Sequence, residues 1–186
     1  MIKTSVAIAM AVLLSACQDK PTEPVVPKVA PAVQAQIATP AQLDNKPVLS
    51  AEAYGPVQFG AALQDVETKL GEKSQPLGAA DPACSTVQFK SLPAVRFMVE
   101  QGVITRADTQ AGVPNIFGID VGATLAQAKQ KIPDLIVGPH KYLELGHYLT
   151  FAGNNNTAVV MEEDGNKITK IRGGLQPSVA YVEVCG

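Results

Sequence analysis

Val160-Met161-Glu162-Glu163-Asp164-Gly165-Asn166-Lys167-Ile168-Thr169-Lys170 reads as a β-hairpin, two runs with apolar residues on either side of Asp164-Gly165-Asn166. Gly165 takes the positive φ that a tight turn demands, and Asp and Asn bond readily to the local backbone. An earlier stretch lines up with it: Phe97-Met98-Val99-Glu100-Gln101-Gly102-Val103-Ile104-Thr105-Arg106, with Gly102 in the place of Gly165 and one residue fewer after it. Two hairpins of one design imply a duplicated unit.

Upstream of each hairpin lies a second matching pair. Gly60-Ala61-Ala62-Leu63-Gln64-Asp65-Val66-Glu67-Thr68-Lys69-Leu70 and Gly122-Ala123-Thr124-Leu125-Ala126-Gln127-Ala128-Lys129-Gln130-Lys131-Ile132 both place apolar residues at i, i+3 and i+7. That spacing is one face of a helix. Short alternating runs, Val57-Gln58-Phe59 and Ile119-Asp120-Val121, precede them and read as strands. Ser85–Phe89 and Tyr148–Phe151 add a strand to each copy, and Asn154-Asn155-Asn156 reads as a polar turn. The expected fold is α+β: a tandem repeat of helix plus antiparallel β-meander, with copies at about 54–109 and 116–174 and a last strand at 179–185. The domain is expected to span 51–186.

Gly60 to Gly71, read as Gly-x-x-Leu-x-x-Val-x-x-x-Leu-Gly, resembles the helix opening of the SmpA/OmlA outer-membrane lipoproteins. It is similar also to the tandem modules of secreted β-lactamase-inhibitor proteins. In the second copy Pro133-Asp134 replaces the Leu-Gly ending. The stretch Phe97 to Gly122 resembles a σE-regulated enterobacterial lipoprotein family. These resemblances imply an envelope compartment and a non-enzymatic scaffold.

The N-terminus points the same way. Lys3, an uncharged stretch from Ser5 to Leu14, and Leu14-Ser15-Ala16 before Cys17 fit a secretory signal over 1–16. A membrane span would need roughly 20 apolar residues, and Gln18-Asp19-Lys20 ends the run early. Leu-Ser-Ala-Cys resembles the bacterial lipobox, whose Cys carries the lipid; this assigns lipidation to Cys17 and makes the membrane a partner through that lipid. By the enteric sorting rule, Gln18 implies the outer membrane, with the domain in the periplasm. Residues 17–50 hold Pro21, Pro24, Pro27, Pro31, Pro40 and Pro47 with no apolar period, and are expected to form a disordered tether reaching about 100 Å as polyproline II and about 30 Å as a coil.

Cys84 and Cys185 are then an even pair in an oxidising compartment. Bridged, they close a loop of about 100 residues, a link of roughly 4 to 5 kcal/mol in the chain-entropy model; the alternative is two free thiols.

Loss of residues 1–16 removes Lys3 and no acid, so 14 of the 15 basic side chains remain against 17 acidic ones. No basic cluster offers a footprint for nucleic acid. No motif for a cofactor, a metal or a catalytic nucleophile occurs, so no cofactor is expected and the chain is read as no enzyme. Glu100, Glu162, Glu163 and Asp164 are read as charges that keep the hairpins soluble. Gly138 to Tyr148 holds both histidines and breaks the repeat. His140, Lys141, Tyr142, His147 and Tyr148 are therefore the candidate partner-binding residues, for an envelope protein or a glycan. The expected function is a non-catalytic binding module in envelope maintenance or stress. The alternatives are an inhibitor of a periplasmic or secreted hydrolase, and an enzyme using His140 or His147 as a base.

Overall fold

The computed structural model describes residues 46–79 and 81–185. The expected signal peptide, Cys17 and the tether as far as residue 45 lie outside the described residues. The described elements run β1 (Ala53–Tyr54), β2 (Val57–Gln58), α1 (Leu63–Leu70), β3 (Gln75–Pro76), β4 (Cys84–Gln88), β5 (Val95–Glu100) and β6 (Val103–Thr109), then α2 (Leu125–Lys131), β7 (Ile136–Pro139), β8 (His147–Ala152), β9 (Thr157–Glu163) and β10 (Ile168–Leu175). β1 pairs with β2, and the other eight strands form one sheet in the order β3-β4-β5-β6-β10-β9-β8-β7. The architecture is mainly antiparallel sheet with two short helices. Among the described residues no helix is long and apolar enough to cross a membrane.

Both hairpins form as the turn residues dictate. Gln101 and Gly102 carry φ of 51° and 81° between β5 and β6. Between β9 and β10, Asp164 Oδ1 accepts from the N–H groups of Asn166 (3.0 Å) and Lys167 (2.9 Å). α1 ends at Gly71, in the left-handed conformation. α2 begins with a capping box, Thr124 and Gln127 satisfying each other's backbone N–H, and Pro133 follows its end.

The same bonds recur in the two halves. Gly60 N–H donates to Ile104 O (2.8 Å) and Ile104 N–H to Ala61 O (3.0 Å), while Gly122 N–H donates to Ile168 O (2.8 Å) and Ile168 N–H to Ala123 O (2.7 Å). Lys69 Nζ reaches Pro56 O (2.9 Å) as Lys131 Nζ reaches Gly118 O (2.5 Å). A register shift falls at Thr105 and again at Thr169, and each hydroxyl donates across the strand, to Met98 O and Glu162 O.

Alternation gives the sheet two unlike faces. Val95, Phe97, Val99, Ile104, Ala107, Leu149, Val159, Met161, Ile168 and Ile171 share one apolar cluster with Val66 of α1 and with Ala128 and Ile132 at α2. The helices thus cover that face. The opposite face of β6, β9 and β10 carries Arg106, Glu162 and Arg172, yet these are 1%, 3% and 0% exposed, because the C-terminal segment lies over them.

That segment corrects the expected strand at 179–185. Ser178–Ala180 is a 3-10 turn and the chain beyond it is irregular. The carbonyls of Ser178 and Tyr181 accept from Arg106, and that of Val179 from Arg172, so arginine side chains satisfy groups that a ladder would otherwise take. The run Ile119–Val121 is also not a strand: Asn115 bonds the N–H and C=O of Ile119, and Asp120 accepts from Val121 and Gly112 N–H. Leu49, read as the end of the tether, is fully buried and bonded to Pro114 and Ile116. Cys84 and Cys185 are joined by a disulfide, with Cα atoms 5.4 Å apart.

Glu67 fastens the exit of α1, accepting from Lys73 Nζ (2.7 Å), Ser74 Oγ (2.7 Å) and Ser74 N–H (3.0 Å). Lys73 and then Ser74 hold its carboxyl down to about 2, against the ordinary 4.5. A depressed carboxyl contributes stability above its unfolded value and loses it as pH falls toward the folded one. Glu67→Gln should therefore be less stable than wild type at pH 7, with the gap narrowing steadily from pH 4.5 toward pH 2 in urea titrations. A gap that does not change with pH would contradict this role.

Candidate functional site

The connection between β7 and β8 gathers the candidate residues. β7 pairs with β8 through Ile136–Thr150 to Pro139–His147, so His140 leaves the sheet just as His147 returns to it. His140 N–H donates to Gly146 O (3.0 Å) and Gly146 N–H to Leu143 O (3.0 Å), closing the loop on itself. Gly146 is needed for close approach: a Cβ there would stand 2.7 Å from Glu163 O.

Each histidine is a pin for one end of this loop. The His140 side chain is 6% exposed and its ring stacks on Tyr148, with centroids 4.5 Å apart and planes at 20°. Its Nδ1 accepts from the N–H groups of Tyr142 (3.1 Å) and Leu143 (3.3 Å). That bonding assigns the proton of the neutral ring to Nε2, which faces Glu162 Oε2 at 3.8 Å. His147 Nδ1 meets Glu163 Oε2 at 2.8 Å. Glu162 and Glu163 are neighbours on β9 and point to opposite faces, so the two imidazoles do not converge. Among the described residues, no group of three or more His, Cys, Asp or Glu is placed to hold a metal.

Glu162 is the hub. Arg172 Nη1 donates to one of its oxygens, and Lys170 Nζ lies 3.1 Å from the other. Burial alone would raise its carboxyl, but the hydrogen bond and charge of Arg172, with Lys170, outweigh that and leave it lowered. Glu162 and Glu163, read from the sequence as solvating charges, are each 3% exposed. In the register of the sheet they stand where the first hairpin has Met98 and Val99. With Gly102 set against Gly165, however, the sequence shows only Glu162 in an apolar position, that of Val99, since Glu163 falls on Glu100.

Of the candidate residues, Lys141 and Tyr142 face outward. Lys141 Nζ lies 4.9 Å from the Tyr142 ring centroid and 3.6 Å from Glu183 Oε1, and the Tyr142 hydroxyl donates to Glu183. That hydroxyl, then Glu183's own backbone N–H and, more weakly, the lysine charge, lower the Glu183 carboxyl against the opposing effect of burial. A surface groove of about 380 Å³ runs beside Lys141 along Ala180, Tyr181, Val182, Glu183 and Val184. Sequence reasoning passed over Leu143 and Leu145, yet with Tyr142 they are the exposed apolar groups of the loop, at 42%, 75% and 60% exposure. The structure brings together His140 with Tyr148, and Lys141 with Tyr142, while His147 sits apart on β8. Compared with family models, with curated proteins and with solved structures, the chain has no match.

Proposed function

We propose that the chain is a lipid-tethered, non-catalytic binding module of the bacterial envelope, which holds a protein partner through the loop at 141–146. One observation carries this reading: a loop tied at both ends and bonded to itself keeps Tyr142, Leu143 and Leu145 in the solvent. A loop fixed before binding loses little entropy on association, and aromatic and aliphatic side chains supply most of the energy of protein interfaces. The two leucines favour a protein over a glycan. The sequence supports the location: the export signal and lipobox of residues 1–17 fit outer-membrane anchoring at Cys17, with the domain in the periplasm. The bonds common to the two halves support descent from one duplicated unit, in keeping with the resemblance to tandem-module lipoproteins.

A second reading, inhibition of a hydrolase, is favoured by the same self-closed loop, a shape suited to filling an enzyme cleft. Crosslinking capture with the lipidated protein separates the two. An envelope module recovers membrane or cell-wall machinery, and an inhibitor recovers a hydrolase. Leu145→Asp should cut capture at least about tenfold, a loss of roughly 1.4 kcal/mol, while stability stays within about 0.5 kcal/mol as for other surface changes. An undiminished catch with Leu145→Asp would overturn the assignment of the loop.

A further inference from the structure

We propose that the sheet face under the C-terminal strap, residues 177–185, is a binding face for an extended peptide, occupied in cis by the strap and locked by the Cys84–Cys185 disulfide. A face meant for permanent cover is ordinarily apolar, as the helix-covered face is here. The strap-covered face instead buries Arg106, Glu162 and Arg172 from the central strands, with Asp108 and Lys170 at its margin. Taking such groups out of water is costly, and lifting the strap returns them to it. The cover is therefore far easier to remove than the helices on the other side.

The strap is held as a ligand would be. Arg106 Nη1 donates to Tyr181 O (2.7 Å) and Ser178 O (3.4 Å), and Arg172 Nε donates to Val179 O (2.6 Å). These contacts read main-chain carbonyls, which any extended peptide offers. On the sheet face itself, side-chain recognition comes from Val179, fully buried against Ala158 and Val160, and from Ser178, whose hydroxyl donates to Glu100, while Glu183 reaches off the face to Lys141 and Tyr142. Beneath this cover Arg172 Nη2 is buried without a hydrogen-bond partner. The strap thus leaves a donor unused, and a peptide with one more acceptor there would fit better.

The lock is reachable, since Cys84 and Cys185 are both half-buried. A dithiol reductant attacking one sulfur through its thiolate passes two electrons and two protons to the pair, leaving two cysteine thiols and the reductant's own disulfide. The strap is then tethered at Gln176 alone. Glu183 links the strap to Lys141 and Tyr142 of the partner-binding loop, but Leu143 and Leu145 make no part of this face, so the capture test at Leu145 and the peptide test at Val179 fail independently.

The test uses the full chain carrying Cys84→Ser, Cys185→Ser and Val179→Glu, which unlocks the strap and spoils its apolar anchor. The probe is a fluorescent peptide with the sequence of residues 176–184. Saturable binding to the variant, with none to the oxidised wild type, is expected. A probe bearing Glu in place of the anchoring Val should bind at least about tenfold more weakly. In the wild type, reduction should speed amide exchange at Ala180 and Tyr181 at least about tenfold while Ile104 and Val159 stay protected. A folded variant that ignores the peptide would overturn the proposal. So would a variant that cannot fold, or reduction that leaves the strap amides unchanged, because the segment would then be part of the core.

Discussion

Phe97→Ala is expected to cost the domain about 3–5 kcal/mol, the range for losing a fully buried aromatic side chain. Phe97 is 0% exposed in the middle of β5, opposite Val87 on β4 and Ala107 on β6. Its ring meets Phe89 edge-on at 5.6 Å and Tyr54 at 6.3 Å, and such pairs add about 0.5–1.5 kcal/mol beyond burial. Around the ring, a paired backbone on both sides leaves little room for the site to collapse, which places the cost toward the upper end. Urea unfolding checks this as a fall in midpoint at constant slope. Leu77→Ala, at 41% exposure, serves as the surface control and should stay within about 0.5 kcal/mol. A Phe97→Ala loss under about 1 kcal/mol would mean that the sheet and helices do not share one close-packed core.

The parts of the fold that were legible in the sequence are those stabilised by neighbours along the chain. Gly102 and Asp164-Gly165 announced their hairpins because turn chemistry is local, and Val66 and Ala128 showed a helical face because four residues span one turn. β3 and β7 went unread: each is short, ends in a proline and sits at an edge of the sheet, where alternation has no room to appear. The C-terminal segment was misread as a strand because its carbonyls are satisfied by Arg106, over 70 residues away, and no local pattern records that. At the candidate site the sequence drew attention to the connection between β7 and β8 but not to which of its side chains face solvent. His140 and His147, read among the partner-binding residues and as bases only in the enzyme alternative, face Glu162 and Glu163 as internal pins, whereas Leu143 and Leu145, ordinary in a sequence, are what the loop displays.

Glu162→Ala should be among the most damaging changes available outside the apolar core, again about 3–5 kcal/mol, because it strands Arg172 as a buried charge. Arg172 is 0% exposed and its Nη2 is already without a partner; without Glu162 its Nη1 loses its acceptor too. Lys170 and His140 would lose their nearest carboxylate as well. The origin of the cost can be isolated. If it is the orphaned guanidinium, Glu162→Leu combined with Arg172→Leu should recover most of the stability that Glu162→Leu alone loses, because apolar side chains of similar size can replace a buried pair. A double variant no better than the single one would sink that account. Acid supplies a second check, using Glu162→Gln to keep the shape. Against burial, Arg172 and Lys170 hold the carboxyl below its ordinary value in the folded state. Its stabilisation is thus complete above the unfolded carboxylate value of about 4.3 and is lost as pH falls through the lower, folded one. Wild type should therefore exceed Glu162→Gln by its full margin at pH 7 and lose that margin progressively only below about pH 4, where the charge that neutralises Arg172 is removed by protonation instead of by mutation.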